Sequence, residues 1–518
     1  MSDHKTSPSV WPLYLTTGVY FLLMCGLFGW LAMHRNVDGD EGLYLEAARL
    51  VAQGKKLYFD FFYQQMPLIP YLYAGWMEVF GYQLFSARFL SVLLTASAGL
   101  FTLAYVAKTT KNLWTLNFCA FFLFANGLIL AWAPVIKTHP LNAFSLSLAV
   151  VALLLWRQDP RRRLAWAALA GFAIGIGVNG RLTLVPYLPL FAAYLWIHSR
   201  ERPWRPLAAF AGAAALTFPL TLYYFALDPG LFYQYNLEYH TKIFPGISED
   251  AFRLGIAQTV FVETQMFLLA LLFLIGVWKA ARRGWKEFFL SDEAFLAAAV
   301  GGFLLIHLMT ATPFTQYFSA VVPLLVIGIA PVLQAGFTRR RALCVVALAF
   351  AAFFYASAAK RVMNHEINSM GSDHSHWELR RISRAVRAAK RYLRPGEPCL
   401  TWWPGYAFLA GCPSAEGMEN HMRSHAIDVG IPGDVLETYK MMSDERLLET
   451  LVDRRYRVLI AGVYRLGSPY YRDIDRAIRD NYRPARTEAG VTIYVAKDLT
   501  DDIVDRYILE REIRYRKR

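Results

Sequence analysis

The stretch that decides the fold is residues 14–46, "YLTTGVYFLLMCGLFGWLAMHRNVDGDEGLYLE". From Tyr14 to Met33 it carries no charged residue. A helix rises ~1.5 Å per residue, so about 20 apolar residues cross the ~30 Å hydrocarbon core of a bilayer. The run is too long for the apolar part of a signal peptide and lacks a small-residue cleavage site, so it is expected to stay as a membrane helix. Directly behind it stand Asp38, Asp40 and Glu41. Three carboxylates at the exit of a membrane helix either begin the next helix or serve chemistry at the membrane surface.

The rest of the chain repeats the first pattern. Of 518 residues, 56% are hydrophobic and 18% charged, against about 25% charged in soluble domains. Apolar runs at 13–33, 84–107, 113–133, 140–156, 164–179, 182–197, 207–226, 256–278, 294–311, 318–335 and 341–358 predict about 11 transmembrane helices. The connectors "KTTKN" (108–112), "RQDPRRR" (157–163), "HSRERPWRP" (198–206), "KAARRGWK" (279–286) and "TRRR" (338–341) are basic, while the alternate set is acidic, neutral or mixed. Basic loops stay in the cytoplasm, so the N-terminus is expected inside and the acidic loop 34–83 outside. An odd number of spans then places everything after residue 358 outside as well. The same loops account for much of the formal charge of +14, which argues against nucleic acid as a partner. The expected location is the cytoplasmic membrane, multi-pass and in contact with its lipids.

Two domains are predicted: a membrane domain over 1–358, carrying the loop 34–83, and an extracytoplasmic (periplasmic) α/β domain over 359–518. In the latter, "HWELRRISRAVRAAKRYL" has apolar residues at helical spacing and stops at Pro395-Gly396. "PCLTWW", "RVLIAGVY" and "GVTIYVA" read as short strands, and "SDERLLETLVDRRY" as a helix capped by Ser443. "ILEREIRYRKR" reads as a charged tail. Cys25, Cys119 and Cys344 lie in apolar runs as packing residues. Cys399 and Cys412 lie in the polar region, where an oxidising compartment permits a disulfide; their spacing alone does not decide it.

Within the first loop, "DGDEGLYLEAARLVAQG" predicts a short helix with Leu43, Ala47, Leu50 and Val51 on one face and Gly54 as its stop. Asp38 and Glu41 have the spacing of a capping box. Capping leaves Asp40 unexplained, along with the aromatic-rich segment that follows; loops of this length are usually functional.

The motifs around this helix resemble a known family. An Asp-Glu pair after the first span is followed by Gly54, Tyr58, Asp60 and Phe61, then Pro67, Leu68 and Tyr71, then Gly81, Arg88 and Ser91. "QYFSAVVPLL" (316–325) and "LRPGEPCLTWWPGYAFLAGCPSA" add late matches. Together they resemble the GT-C membrane glycosyltransferases, in the branch of protein O-mannosyltransferases and lipid A aminoarabinose transferases. That resemblance implies a polytopic α-helical GT-C fold and inverting transfer of a sugar from a polyprenyl-phosphate donor to an acceptor hydroxyl. The acceptor would be a cell-envelope lipid, glycan or protein at the outer membrane surface. Asp40 matches the family's catalytic Asp and is the expected general base, because the attacking hydroxyl must lose its proton. Asp38 and Glu41 are expected as supporting groups or metal ligands. Sugar or acceptor contacts are expected from Tyr58, Gln65, Tyr235, Glu238, His240, Gln316 and Tyr317.

The chain departs from the family twice. His139 in "KTHPLNAF" stands where many relatives carry a second Asp, and it reads either as a helix-start residue or as a phosphate, sugar or metal contact. Gln65 stands where relatives often have Lys. The positive charge for a leaving lipid phosphate is therefore sought in Arg181, Lys137 and Lys242. No cofactor is required by these motifs; a divalent cation (Mg or Mn) held by Asp38, Asp40 and His139 stays open. The alternatives, a transporter or flippase and a non-catalytic assembly protein of envelope glycan synthesis, fit the spans as well. A transporter would show internal repeats and ionisable residues deep in its spans; a scaffold gives no reason for the carboxylates.

Overall fold

In the computed structural model the described residues are 11–199, 202–243, 250–310, 313–339, 341–366, 377–423, 431–462 and 471–499. The C-terminal tail and the end of "RVLIAGVY" lie outside them. Each of the eleven apolar runs is helical, but they are not eleven uniform rods. Trp11–His34, Leu84–Thr110, Thr138–Gln158, Pro160–Gly180 and Thr315–Arg339 are long and apolar enough to cross a membrane. Two further runs are bent pairs, Trp204–Ala215 with Pro219–Leu227 (59°) and Asp250–Glu263 with Met266–Ala281 (81°). Shorter apolar helices are Leu113–Phe124, Leu182–His198 and Ala342–Phe354. Local sequence explains one break. The predicted span 113–133 stops at Phe124 and restarts at Gly127, because the Asn126 side chain caps the amides of Leu128 and Ile129.

Contacts divide the chain into two compact units that cut across its linear order. The first comprises Met1–Met33, Phe89–Tyr223 and Gly246–His365. Its helices approach closely where side chains are small. A Cβ on Gly171 would strike the carbonyl of Phe210, and one on Gly175 would strike Thr217 Oγ1. Helices Arg163–Gly180 and Trp204–Ala215 thus pack backbone against backbone, the usual solution where lipid supplies no hydrophobic drive.

The second unit joins His34–Arg88 and Tyr224–Pro245 to Glu366–Arg518. The first loop therefore belongs with the C-terminal segment, not with the spans beside it in sequence. The unit carries a four-stranded sheet: β1 (Leu400–Thr401), β2 (Val458–Ala461), β3 (Tyr482–Glu488) and β4 (Val491–Ala496), in the order β1-β2-β4-β3. The β1–β2 pair is parallel and the other two pairs are antiparallel. Its core gathers Leu400, Leu447, Leu451, Leu459, Ile474 and Tyr482. Strand β3, "YRPARTE", was not expected from its polar sequence. It is an edge strand with an irregularity between Pro484 and Arg486, where a proline is tolerated. Ser443 caps Asp444–Val452 through the Arg446 amide. Cys399 and Cys412 are joined in a disulfide.

Candidate functional site

The first-loop helix Gly39–Ala52 sorts the three carboxylates into three environments. Asp38 is its N-cap: Oδ1 accepts from the Asp40 amide at 3.0 Å, while Glu41 Oε2 accepts from the Asp38 amide at 2.9 Å, completing a capping box. Asp38 is thereby a structural cap.

Glu41 is fully buried against a fully buried Arg88. Arg88 Nε donates to Oε1 at 2.8 Å and Nη2 to Oε2 at 2.6 Å. The same guanidinium donates to the carbonyls of Arg35 (3.1 Å) and Asn36 (3.0 Å), tying the exit of the first span to the helix. Burial alone would push the Glu41 carboxyl up, but Arg88, with Arg35 and the Asp38 amide, holds it below its ordinary range. Glu41 was expected as a supporting or acceptor-side group or a metal ligand; its burial and its pair with Arg88 give it the structure of a supporting anchor.

Asp40, like Asp38, reaches solvent, with one third of its side chain exposed (33%). Its Oδ1 lies 3.2 Å from Nε2 of His421, which is buried (2%). Sequence reasoning missed His421, and no local signal marks it. It belongs to the run Glu419-Asn420-His421, of which Asn420 and His421 contact the first loop. Asn420 Nδ2 donates to Gln64 Oε1 at 3.0 Å. Glu419 is buried near Glu46, and burial with that like charge raises its carboxyl pKa to about 8. Glu46, also buried and raised by burial, is paired with Arg49 at 2.6 Å.

The disulfide-bounded segment forms a second support. Trp403 Nε1 donates to the Gly39 carbonyl at 2.8 Å, and Arg49 Nη1 donates to the Cys412 carbonyl at 2.8 Å. Gly42 is required beneath it: a Cβ there would press on the Trp403 indole and the Gly405 amide. Both ends of the helix carrying Asp40 are thus held by residues 399–412.

The aromatic loop is less open than expected. Tyr58 and Tyr235 are buried (1% and 0%) and pack on each other with ring centroids 5.3 Å apart, beside Tyr224 and Phe232. They are core residues, not sugar contacts; aromatic composition does not distinguish the two. Gln65 serves the same core, its side chain accepting from Tyr44 at 2.9 Å and its carbonyl from Tyr58 at 2.6 Å. Asp60 closes the turn on the Lys56 amide at 2.6 Å. His240 is exposed, with Nε2 2.6 Å from the Gln64 carbonyl. Glu238 is half-buried. The Lys242 side chain lies outside the described residues.

The first unit gathers its own candidates at three span ends. Lys137 precedes Thr138–Gln158, Arg181 follows Arg163–Gly180, and Tyr317 lies in the short helix Thr315–Val321. The Arg181 guanidinium stacks 4.0 Å over the Tyr317 ring and donates to Thr138 Oγ1 at 3.1 Å. The rings of His139 and His307 lie 5.3 and 5.6 Å from Tyr317. Lys137 is buried, with Nζ 5.1 Å from the Trp132 ring, and Gln316 is nearly buried (9%). Residues scattered over 137–317 therefore form one cationic, aromatic cluster. Among the described residues no group of three or more His, Cys, Asp or Glu side chains is placed to hold a metal ion.

No family model and no curated protein matches the sequence. Solved structures do match the fold. ArnT from Cupriavidus metallidurans, bound to undecaprenyl phosphate, superposes with a TM-score of 0.64 at 14% identity over 92% of this chain and 97% of that one. The arabinofuranosyltransferase AftD from Mycobacteria matches with a TM-score of 0.54 at 15% identity, over 95% of this chain and 40% of its own. The archaeal oligosaccharyltransferase AglB from Archaeoglobus fulgidus matches at 0.50 and 13% identity, over 93% and 74%. The chain has the GT-C fold of these proteins and is a multi-pass membrane protein.

Proposed function

We propose that this chain is an inverting glycosyltransferase that moves a sugar from a polyprenyl-phosphate donor to a hydroxyl of a cell-envelope lipid, glycan or protein. The observation that carries the reading is the state of Asp40: one third of its side chain is exposed, and its Oδ1 lies 3.2 Å from the buried His421 imidazole, whereas Asp38 Oδ1 serves the helix cap and Glu41 is buried against Arg88. The neighbours in fold add weight, since the ArnT structure holds undecaprenyl phosphate and AftD is a sugar transferase.

In this reading Asp40 takes the proton of the acceptor hydroxyl as its oxygen attacks the anomeric carbon. The bond from that carbon to the phosphate oxygen breaks, its electron pair leaving on the phosphate, and the anomeric configuration inverts. His421 is a positioning residue, orienting the carboxylate. Arg181 supplies positive charge for the leaving phosphate, with Lys137 in support. His139 and Tyr317 orient that guanidinium or meet the sugar, and Glu238, His240 and Gln316 are further contact candidates. The reaction is assigned to the outer face of the cytoplasmic membrane, with the N-terminus inside, from the placement of the basic loops.

The test compares surface glycans and lipid-linked sugars in cells carrying the intact protein, a deletion or Asp40→Asn. Asp40→Asn should fold, remove one sugar from a surface product and let its lipid-linked donor accumulate. Full transfer by that variant overturns the assignment. A protease or thiol probe reaching residues near 400–420 from the cytoplasm overturns the orientation.

A further inference from the structure

The helix Leu379–Ala389, "LRRISRAVRAA", has two unlike faces. Ile382, Ala385, Val386, Ala388 and Ala389 are buried, while Arg380, Arg384 and Arg387 are exposed. The spacing of four and then three residues puts these arginines on one stripe, and an exposed Arg391 follows beyond the helix end. Arg381, by contrast, is paired with Glu378 at 3.1 Å. Among the described residues, none of the four stripe arginines makes a side-chain hydrogen bond or ion pair.

A solvated helix face ordinarily mixes both signs. Like charges at this spacing repel by a few tenths of a kcal/mol per pair, so an unrelieved arginine ladder is a poor choice for solubility alone. The ladder also borders a groove of about 330 Å³, lined by Phe85, Leu379, Arg380, Ser383, Arg384 and Arg387. Phe85 is exposed (43%) and sits in the first turn of Leu84–Thr110, one of the helices long and apolar enough to span a membrane. The groove therefore combines three guanidinium groups and a hydroxyl with an apolar ring at the point where a span begins. Guanidinium forks suit phosphate oxygens, and an apolar ring at a span end suits the head of an acyl chain. If the loops are oriented as proposed above, these arginines lie on the face where the topology rule calls for no positive charge.

We infer that this groove is a binding site for the phosphate headgroup of an anionic phospholipid in the leaflet where Leu84–Thr110 begins. It holds the arginine helix, and with it the C-terminal unit, on the membrane surface. The site shares no residue with those assigned to transfer and stands whether or not that assignment does.

The full chain in a neutral detergent is titrated with phosphatidylglycerol, phosphatidylcholine or inorganic phosphate, and bound lipid is read by native mass spectrometry. The wild type should retain phosphatidylglycerol at least about tenfold better than phosphatidylcholine, since each surface cation contributes on the order of fivefold. The triple variant Arg380→Gln, Arg384→Gln, Arg387→Gln should lose that preference, and the matching triple Lys variant should keep most of it. A headgroup-photoreactive phosphatidylglycerol on the wild-type chain should mark residues 379–391, a readout independent of how the variants fold. Equal retention of both lipids, an unchanged preference in the Gln variant, or labelling only elsewhere overturns the site. Competition by inorganic phosphate as strong as by lipid also overturns it, leaving a free-anion site.

Discussion

Asp40 Oδ1 and His421 Nε2 lie 3.2 Å apart, the acid one third exposed and the imidazole buried. The buried partner is the more rigid of the two, so it sets the direction of the carboxylate. His421→Gln should lower kcat by about 10- to 100-fold, the scale for removing a group that orients a reacting one, with KM for the donor little changed. Asp40→Asn should lower it by ~10²–10⁴. Transfer by His421→Gln equal to wild type, in a reconstituted assay, removes His421 from the site.

Arg181 should behave oppositely. Its guanidinium, stacked on Tyr317, is assigned to the donor phosphate, and a hydrogen bond to a charged group contributes ~1.5–3 kcal/mol. Arg181→Gln should therefore raise the donor KM by roughly tenfold or more, and weaken retention of polyprenyl phosphate. Unaltered donor affinity assigns Arg181 to packing alone.

The Glu41–Arg88 pair is a stability device. Removing one partner strands a buried charge, at a cost of ~3–5 kcal/mol. Glu41→Leu and Arg88→Met should each lower Tm sharply, and the double variant Glu41→Leu/Arg88→Met should be less destabilised than the sum. Because Glu41 is held below its unfolded pKa, its contribution is present above the unfolded value and is lost as pH falls through the folded one. Wild-type melts should therefore fall in acid more steeply than those of the double variant.

Glu419 predicts the reverse slope. Its folded pKa, about 8, lies above the ordinary carboxyl value, so between the two the folded state binds more protons than the unfolded one. Its contribution is complete at pH below the unfolded value and is lost as pH rises towards 8, by up to ~1.4 kcal/mol per unit for one proton. Glu419→Gln should flatten that loss in thermal melts between pH 5 and pH 8; an unchanged slope assigns it to another group.

The disulfide closes a loop with a sequence separation of 13, for which chain entropy gives about 3 kcal/mol. Cys399→Ser/Cys412→Ser should lower Tm. It should also lower transfer activity, because the segment supports both ends of the Asp40 helix through Trp403 and Arg49. Intact mass with and without reductant confirms the bond; full activity without it removes the support role.

Much of the fold is written locally. The charge-free run from Tyr14 to Met33, its repetitions and the Asp38/Glu41 spacing each depend on residues within a few turns of one another, so helices, spans and capping box are legible from sequence. The breaks in the spans and the polar edge strand 482–488 are less so, since capping and edge position override composition. The site divides the same way. The sequence by itself determined that carboxylates stand at the exit of the first span and singled out Asp40 by likeness. Only the tertiary structure decided the physical difference among them: Asp38 Oδ1 on an amide, Glu41 buried against Arg88, and Asp40, one third exposed, beside His421. Exposure and partnership are set by segments far apart along the chain, and no local pattern encodes which side chain folding will leave accessible.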